Sequence, residues 1–289
     1  MNNPDSKEEK SFNGLSPKEW ALLSKNVWND VSSPREAFHL EHGATYPIAL
    51  ADRIIKMYSK AGDLVLDPFV GVGTTVVSAY RQKRSGIGIE LNERFHEIAS
   101  EALNKEKANL FENVKGKVFH KIHCDDCRNL RKYLKDNSVQ LTFTSPPYAN
   151  FIQKSVKDRK NTHKTSLIKY SNNSTVKQYS EKVEDFGNLD YHVFLKEIKL
   201  ILADNLRVTK KGGYSVWVVK DYRDTKNKIP YIDFHSDLAN TGKDAGWLYQ
   251  DLIVWDQNSQ RRLVLLGYPS VFYTNQNCSF IVVFRKPLL

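Results

Sequence analysis

Short apolar runs alternate with amphipathic stretches between residues 63 and 144, and this alternation limits the possible folds more than any other feature of the chain. Residues 63–67, 86–90, 117–122 and 139–144 have the apolar character of buried strands. Helical spacing is predicted between them at residues 74–84, 93–110 and 129–135. Strands that alternate with helices in this way build a parallel sheet covered on both faces.

The same pattern extends on both sides of this segment. Helices are predicted at residues 47–59, 191–208 and 233–245, strands at 214–220, 248–255 and 280–284, and a turn at 210–213. The complete pattern predicts an α/β fold with a seven-stranded, mixed and mostly parallel Rossmann-like sheet that has helices on both faces.

A polar segment at residues 149–188 interrupts the alternation. Between residues 151 and 180, seven Lys or Arg residues accompany one acid, Asp158. A long stretch without an apolar period is typical of a functional loop, a small inserted module or disorder. We therefore expect one main domain at residues 28–289 that contains this insertion, preceded by a polar N-terminal extension at residues 1–27.

Charge and cysteine content restrict the partners and the compartment. The 289 residues include 43 Lys or Arg and 33 Asp or Glu, a formal net charge of +10, which favours polyanionic partners and above all nucleic acid. No apolar run approaches the ~18 residues that a membrane span needs, and the N-terminus has no apolar signal core. The cysteines, Cys124, Cys127 and Cys278, are too few for a disulfide framework. We expect a cytoplasmic protein without a membrane partner.

A glycine-bearing turn at residues 67–75 joins a predicted strand to a predicted helix. Its glycines let the backbone approach a ligand, and the helix start offers free N–H donors. Glu90 ends the next strand, where an acid can accept hydrogen bonds from both hydroxyls of a ribose. The glycine-bearing turn and Glu90 together indicate an adenosine-containing cofactor, although a tight turn packed on the sheet would also place glycines here. Val76 stands where a dinucleotide fingerprint has its third glycine, which disfavours NAD.

The second candidate site is Ser145-Pro-Pro-Tyr148, which follows the predicted strand at residues 139–144. Ligands of open α/β sheets bind at the carboxyl ends of strands. Two consecutive prolines hold the backbone extended and remove two N–H donors, so the Ser145 hydroxyl and a backbone carbonyl act as acceptors. Tyr148 adds a face for stacking. Two acceptors and an aromatic face suit a planar ring with an NH2 group, although a rigid strand exit is the alternative.

Together these motifs resemble the DNA amino-methyltransferases, enzymes that use S-adenosylmethionine to methylate N4 of cytosine or N6 of adenine. The resemblance spans roughly residues 28–287, with residues 42–47 similar to the segment over the methionine end of the cofactor. It implies cofactor-binding roles for Thr45, Tyr46, Asp67, Pro68, Phe69, Gly71, Gly73, Thr74, Glu90, Leu91, Asp126 and Cys127. It implies catalytic roles for Ser145, Pro146, Pro147 and Tyr148.

The family also has a C-terminal target-recognition domain, which has no counterpart after the last predicted strand. We expect the basic insertion to replace it and to contact double-stranded DNA, although a solvated basic loop is the alternative. The expected DNA-binding residues are Lys154, Lys157, Arg159, Lys160, Lys164, Arg261 and Arg262. A cognate restriction endonuclease is a candidate partner.

The resemblance therefore implies a site-specific methyltransferase that acts on N4 of a flipped-out cytosine, because Ser before Pro-Pro-Tyr leans towards cytosine in this family. The alternatives are an adenine-N6 enzyme, an RNA amino-methyltransferase and a catalytically silent nucleic-acid-binding subunit. Methylation at carbon 5 of cytosine needs a thiolate, and the motif has no cysteine. Cys124 and Cys127 resemble half of a zinc site without a second ligand pair, so no metal is expected.

Overall fold

Eight strands form the main sheet of the computed structural model, which describes residues 11–34, 36–40, 45–109, 118–147, 185–224, 227–261, 263, 266 and 270–288. The strands, including a separate hairpin of β7 and β8, are β1 (Val27–Trp28), β2 (Leu64–Asp67), β3 (Ser85–Glu90), β4 (His120–Cys124), β5 (Val139–Thr144), β6 (Thr209–Val219), β7 (Tyr222–Asp224), β8 (Ile229–Ile232), β9 (Leu248–Asp256) and β10 (Cys278–Arg285). The helices are α1 (Pro17–Leu23), α2 (Ala37–Leu40), α3 (Ile48–Tyr58), α4 (Thr74–Arg81), α5 (Glu93–Asn109), α6 (Tyr191–Val208) and α7 (Phe234–Asp244). Two 3-10 turns lie at Cys127–Lys132 and Phe186–Asn188.

The strand order across the main sheet is β1-β9-β10-β6-β5-β2-β3-β4. All neighbouring strands pair in parallel except β10, which is antiparallel to both β6 and β9. The carboxyl ends of β2, β3, β4, β5, β6 and β9 therefore lie at one edge of the sheet. This edge, called the carboxyl edge below, is where ligands of open α/β sheets bind.

Apolar side chains cover both faces of the sheet. Adjacent residues of β6 point in opposite directions, so Val216 packs with α3 on one face and Trp217 packs with α6 and α7 on the other. Both side chains are fully buried. The central strand β2 is buried at every position, as parallel strands covered on both faces are. This double burial confirms the predicted Rossmann-like architecture.

The structure corrects several predicted boundaries and the strand count. The main sheet has eight strands in its described part rather than seven, because β1 adds a two-residue parallel pair to the edge at β9. The predicted turn at 210–213 belongs to β6, which begins at Thr209 and contains a register shift against β5. β4 begins at His120 rather than at residue 117, and the predicted helix at 129–135 is a 3-10 turn.

The proposed boundary between an N-terminal extension and the main domain stays a prediction, and most of the insertion lies outside the described residues. Within residues 11–27, Leu15 is buried and the Asn13 side chain donates a hydrogen bond to the Met57 carbonyl at 2.7 Å. Phe186, near the end of the predicted insertion, is buried in the core. In the described ranges, the helices are too short or too polar to cross a membrane.

Gly242 lies in α7 against the ring of Phe284 in β10, and an added Cβ would overlap that ring. Replacing glycine by alanine inside a helix normally stabilises it by about 1 kcal/mol. Here we expect Gly242→Ala to lower the free energy of unfolding by about 1–3 kcal/mol, because overpacking a buried site displaces its neighbours. Urea denaturation measures this change. Lys243→Ala, at an exposed position of the same helix, should stay within about 0.5 kcal/mol, and a stabilised Gly242→Ala protein would contradict the packing described here.

Candidate functional site

Three polar residues complete neighbouring strands at the carboxyl edge. Asp67 ends β2, Glu90 ends β3 and Thr144 ends β5. Because β2 lies between β3 and β5 in the sheet, the glycine-bearing turn after β2 lies beside the ends of both. The two sequence motifs, separated by 70 residues in the chain, therefore meet at one place.

The carboxylate of Asp67 is the centre of a buried hydrogen-bond network. One oxygen, Oδ1, accepts from Thr144 Oγ1 at 2.5 Å and from the Phe69 backbone N–H at 3.0 Å. The other, Oδ2, accepts from Thr75 Oγ1 at 2.5 Å and from the Tyr46 hydroxyl at 3.2 Å. Asp67 is 1% exposed. Four donors from three segments thus converge on one carboxylate, which fixes the turn.

Burial sets the protonation of this network. It raises the pKa of Asp67 to about 6, although the hydrogen bonds from Thr144, Thr75 and Phe69 lower it. Burial and the nearby Asp67 charge raise the pKa of Tyr46 well above its usual value. Near pH 7.5 the carboxyl is therefore ionised and the phenol neutral, which are the states that this donor and acceptor pattern requires.

The network reaches the predicted catalytic segment through Thr144. Ser145 follows directly and is half-buried, Pro146 is buried and Pro147 is half-buried. Pro146 and Pro147 have no backbone N–H, so at these two positions the backbone can only accept hydrogen bonds. Tyr148, the last residue of the motif, lies outside the described residues.

Glu90 closes the glycine-bearing turn from the side of β3. Its Oε2 accepts from the Gly71 N–H at 2.9 Å, and its Oε1 accepts from the Asn92 N–H at 2.8 Å. Each carboxylate oxygen has two lone pairs, so each retains acceptor capacity for a further donor. Burial raises the pKa of Glu90 to about 7, against the lowering effect of the two backbone hydrogen bonds.

Close packing explains why glycine precedes α4. Gly73 has φ of +96°, a left-handed conformation that glycine adopts without strain, and an added Cβ would lie 3.0 Å from Ala99 Cβ in α5. The next residue, Thr74, is buried, and its Oγ1 lies 3.0 Å from Nε2 of His39. Because His39 Nδ1 accepts from the Glu36 N–H, its Nε2 carries the proton of the neutral ring and donates to Thr74.

Aromatic side chains lie beneath the turn. The ring of Phe69 packs edge-on against Phe186 at 5.4 Å and against Trp217 at 6.2 Å between centroids. The guanidinium of Arg128 lies 5.2 Å from the Phe186 ring centroid. The same Arg128 side chain pairs with Asp126 at 2.9 Å.

Asp126 and Cys127 lie after β4 and begin the 3-10 turn. The Asp126 carboxylate caps this turn by accepting from the Arg128 backbone N–H at 2.8 Å. Cys127 is buried, and this burial raises the pKa of its thiol well above the usual value. The cofactor-binding roles expected for these two residues stay predictions.

The remaining predicted site residues have different surroundings. Pro68 is buried, while Thr45 and Leu91 are half-buried. Arg261 is exposed after β9, three positions along the sheet from β5. The predicted DNA-binding residues Lys154, Lys157, Arg159, Lys160, Lys164 and Arg262 lie outside the described residues.

Sequence reasoning missed several residues of this site. Thr75 ends the glycine-bearing turn and Thr144 directly precedes Ser145, so both positions were a usable signal. His39 and Phe186 had no comparable signal, because they come from a four-residue helix and from the end of a polar segment. Their roles depend on distant parts of the chain.

Asp221, Asp233 and His235 form a further cluster at the carboxyl edge, with one ligand-type atom of each within 4.8 Å of the others. The chain's own hydrogen bonds already use these groups. His235 Nδ1 lies 2.8 Å from Asp221 Oδ2, which also accepts from the Tyr231 hydroxyl at 2.7 Å. The nearby carboxylates raise the pKa of His235 against the effect of its burial. This cluster ties the β7–β8 hairpin to the start of α7.

Comparison with known proteins identifies a family for the N-terminal part of the chain. Residues 1–101 match the model of the N6/N4 family described as DNA methylase. The Type II methyltransferase M.MthZI of Methanothermobacter thermautotrophicus is 38% identical over 84 residues, which are 28% of this chain and 24% of that protein. The Type II methyltransferase M.BglI of Bacillus subtilis is 38% identical over 89 residues, which are 30% of this chain and 25% of that protein. Residues 1–101 are therefore similar to the N6/N4 DNA methylase family.

The chain spans about a quarter of the length of these curated relatives. Among solved structures, a SAM-dependent methyltransferase from Methanosarcina mazei aligns with 82% of this chain and 98% of its own, at 16% identity and a TM-score of 0.47. The family match includes Asp67 and Glu90 but ends before Ser145. The predicted family resemblance is thus confirmed.

This family similarity supports the predicted cofactor, S-adenosylmethionine. The residues present fit that molecule, because Glu90 has acceptor capacity left for two ribose hydroxyls beside a glycine-bearing turn. Phe69 and Phe186 offer apolar surface next to this acid. The cofactor-binding role predicted for Asp67 stays a prediction, since its carboxylate oxygens accept hydrogen bonds from the chain itself.

Asp67→Asn tests the buried network. An amide has one acceptor oxygen, so two of the four buried donors lose their partner, at about 1–3 kcal/mol each. We expect urea denaturation to show a lower free energy of unfolding of that size. Asp30→Asn is the matched control, because Asp30 is an exposed partner of Arg53 and its loss should cost less than about 1 kcal/mol. Equal effects of the two substitutions would show that Asp67 does not organise the site.

Glu90 predicts a pH dependence of cofactor binding. Since its pKa is about 7, the side chain takes up a proton as the pH falls through 7 and loses an acceptor for the ribose. Calorimetric titration with S-adenosylmethionine should show Kd rising by up to about tenfold per pH unit below that value, with a plateau at higher pH. Glu90→Gln should weaken binding by about 1–3 kcal/mol at pH 8 and remove this pH dependence.

The exposed neighbour Glu93 supplies the control for this titration. Glu93→Gln should keep both the affinity and the pH profile of the unmodified protein. If Glu90→Gln also keeps them, the ribose binds elsewhere.

Proposed function

We propose that this protein is a DNA methyltransferase that transfers a methyl group from S-adenosylmethionine to the exocyclic N4 amine of a cytosine turned out of duplex DNA. The family match and the Type II methyltransferase relatives support DNA methylation in general. The choice of cytosine rests on Ser145, the residue before Pro-Pro in the catalytic segment.

The observation that carries the proposal is the hydrogen bond between Thr144 and Asp67. It joins the residue before Ser145 to the residue that opens the glycine-bearing turn, at 2.5 Å between Oγ1 and Oδ1. Both residues are buried, so solvent does not weaken this link. The segment expected to hold the base is thereby fixed beside the turn expected to hold the cofactor, and such fixed proximity is a large part of catalysis in transfer reactions.

The residues after Thr144 offer acceptors to an amine. The Ser145 hydroxyl and the Pro146 carbonyl can each accept one proton of an NH2 group, while neither proline offers an N–H donor that would repel it. Accepting both protons turns the nitrogen lone pair away from the ring. Tyr148 would stack on the base and hold it outside the helix, since an amine inside the base stack cannot be reached.

The cofactor side of the site is built by other residues. S-adenosylmethionine, when bound, supplies the activated methyl group. Glu90 would accept the ribose hydroxyls, and Gly71 and Gly73 would let the backbone approach the cofactor. Tyr46, in the part of the predicted segment 42–47 that the structure describes, has a hydroxyl that reaches both Asp67 and Thr75 and so joins the same network. No covalent bond between protein and base is needed, because the amine nitrogen is itself the nucleophile.

The partner proposed for this site is double-stranded DNA. A net charge of +10 favours a polyanion, and the basic insertion with Lys154, Lys157 and Arg159 would contact phosphates through salt-sensitive interactions. Arg261, exposed after β9, would add to them. A restriction endonuclease partner also stays a proposal.

The test is to express the protein in a host without DNA methylases and to identify modified nucleosides by mass spectrometry. We expect N4-methylcytosine, and we expect Ser145→Ala to lower the rate about 10- to 100-fold with unchanged affinity for S-adenosylmethionine, because one acceptor for the amine is lost. Ser138→Ala is the control, since Ser138 precedes β5 at the opposite edge of the sheet and bonds the Lys135 carbonyl.

Other nucleosides would change or end the proposal. N6-methyladenine would move the activity to the other branch of the family with the same pocket. If the protein binds S-adenosylmethionine and DNA but the DNA carries no methylated nucleoside, methyl transfer to DNA is contradicted.

A further inference from the structure

The short helix α2 is held against α4 and α5 by ion pairs. Glu36, directly before α2, forms a bidentate pair with Arg81 of α4, with distances of 2.9 and 3.0 Å between nitrogen and oxygen. Arg81 also donates to both carboxylate oxygens of Glu106 in α5, at 3.0 and 2.6 Å. Bidentate pairs of this kind fix geometry more closely than a single hydrogen bond. They therefore hold the side chains of α2 in a defined position beside α4.

His39 of α2 has a defined protonation state. It is 1% exposed, and its Nδ1 accepts from the Glu36 backbone N–H at 3.1 Å. A ring nitrogen that accepts a hydrogen bond carries no proton, so the ring is neutral and its proton is on Nε2. Nε2 lies 3.0 Å from Thr74 Oγ1. His39 is therefore a donor to Thr74 and not an acceptor from it.

This direction decides what the Thr74 hydroxyl can do. Thr74 is the first residue of α4 and is 3% exposed. Because its Oγ1 accepts from His39, its own proton must be donated to another atom. The Val70 carbonyl, one turn earlier, accepts from the Gly73 N–H instead. In the described ranges, the Thr74 hydroxyl makes the contact with His39 and no other hydrogen bond.

Thr75, the next residue, shows the opposite arrangement. Its Oγ1 donates to Asp67 Oδ2 at 2.5 Å and lies 2.5 Å from the Tyr46 hydroxyl. The Thr75 proton is thus used inside the buried network. The Thr74 proton has no such use within the described part of the chain, and a buried hydroxyl is stabilised by an acceptor for its proton.

The start of α4 favours an acceptor that is an anion. The first hydrogen bond of the helix runs from the Val77 N–H to the Gly73 carbonyl at 2.9 Å, so the three preceding N–H groups have no partner within the helix. Gly73, the N-cap, has no side chain to accept from them. Backbone N–H groups and the helix dipole attract negative charge to such a position. The cofactor proposed for this edge, S-adenosylmethionine, has one anionic group, the carboxylate of its methionine part.

We propose that His39 is a positioning residue for S-adenosylmethionine, because its hydrogen bond to Thr74 directs the Thr74 hydroxyl proton towards the methionine carboxylate. His39 itself does not touch the cofactor. It fills one lone pair of Oγ1 and so keeps the hydroxyl in the orientation of a donor, which lowers the entropy lost when the carboxylate binds. This inference rests on the proposed function and adds to it a residue that favours cofactors with a carboxylate.

The first test examines the His39 ring directly, in the full chain without cofactor. Proton–nitrogen correlation NMR separates the two neutral tautomers of histidine, and the spectrum of His39→Gln assigns the signal. Near pH 7.5 we expect the tautomer with its proton on Nε2. A ring with a proton on Nδ1, or on both nitrogens, would overturn the proposal. This result does not depend on whether the protein binds S-adenosylmethionine.

The second test compares S-adenosylmethionine with decarboxylated S-adenosylmethionine by calorimetric titration at pH 8, where Glu90 is ionised. We expect the unmodified protein to bind the form with the carboxylate about tenfold more tightly, because charge-assisted hydrogen bonds are strong. His39→Leu should weaken binding of S-adenosylmethionine about 3- to 10-fold. It should change binding of the decarboxylated form less than about twofold, since that molecule has no partner for the Thr74 proton.

Further variants separate positioning from a structural role. His39→Gln should keep most of the preference, because its amide can donate to Thr74 in place of the ring. Thr74→Val should lower the preference as much as His39→Leu does, and the double substitution should add little, as expected for residues that act through one hydrogen bond. His120→Leu is the matched control. It removes a half-buried ring whose Nε2 lies 2.6 Å from the Arg84 carbonyl, at the start of β4 and thus at the opposite edge of the sheet.

The outcomes distinguish this inference from the proposed function. An equal loss of affinity for both molecules in His39→Leu, or no loss for either, would overturn the role of His39. If thermal unfolding shows that His39→Leu does not fold, Thr74→Val replaces it, and a full preference in that variant would overturn the proposal. Tight binding of both molecules without preference by the unmodified protein would contradict this inference and leave the proposed function intact. If the unmodified protein binds neither molecule, both fail.

Discussion

The buried carboxylate of Asp67 is the interaction on which the arrangement of the site depends. Its two oxygens accept hydrogen bonds from Tyr46, Phe69, Thr75 and Thr144, which lie on three separate segments of the chain. A carboxylate in so buried a position is unfavourable unless its acceptors are filled. The requirement to fill them holds these segments together, so one residue couples the proposed cofactor turn to the proposed catalytic segment.

The sheet makes this coupling possible. Parallel strands place their carboxyl ends at one edge, and the order β3-β2-β5 puts Glu90, Asp67 and Thr144 side by side. The antiparallel strand β10 extends the same edge in the other direction, because the loop before it must return there. The proposed sites for the cofactor and the target base therefore share one edge of the sheet.

Much of this organisation followed from the sequence pattern. The helix at Tyr191–Val208 was predicted with its observed bounds, because its apolar positions repeat at helical spacing. The contact between Gly71 and Glu90 was also predictable, because Gly71 follows β2, Glu90 ends β3, and these two parallel strands are neighbours. The extra strand at Val27–Trp28 was not, because two residues are too few to show a period. The first part of β6 was predicted to be a turn, because the residues after Thr209 are two lysines and two glycines, the composition of a turn.

The sequence by itself determined the fold class, the two motifs and the resemblance to a family, because each is encoded in local periodicity or in a short run of residues. Only the tertiary structure decided what the individual side chains do. It placed Asp67 at the centre of the network that holds the site, and it brought His39 to Thr74 and Arg223 to Tyr273. Such contacts join residues that are far apart in the chain and have no shared pattern. They exist because the folded sheet fixes where each loop begins and ends, and burial favours a partner for a polar group such as the Asp67 carboxylate.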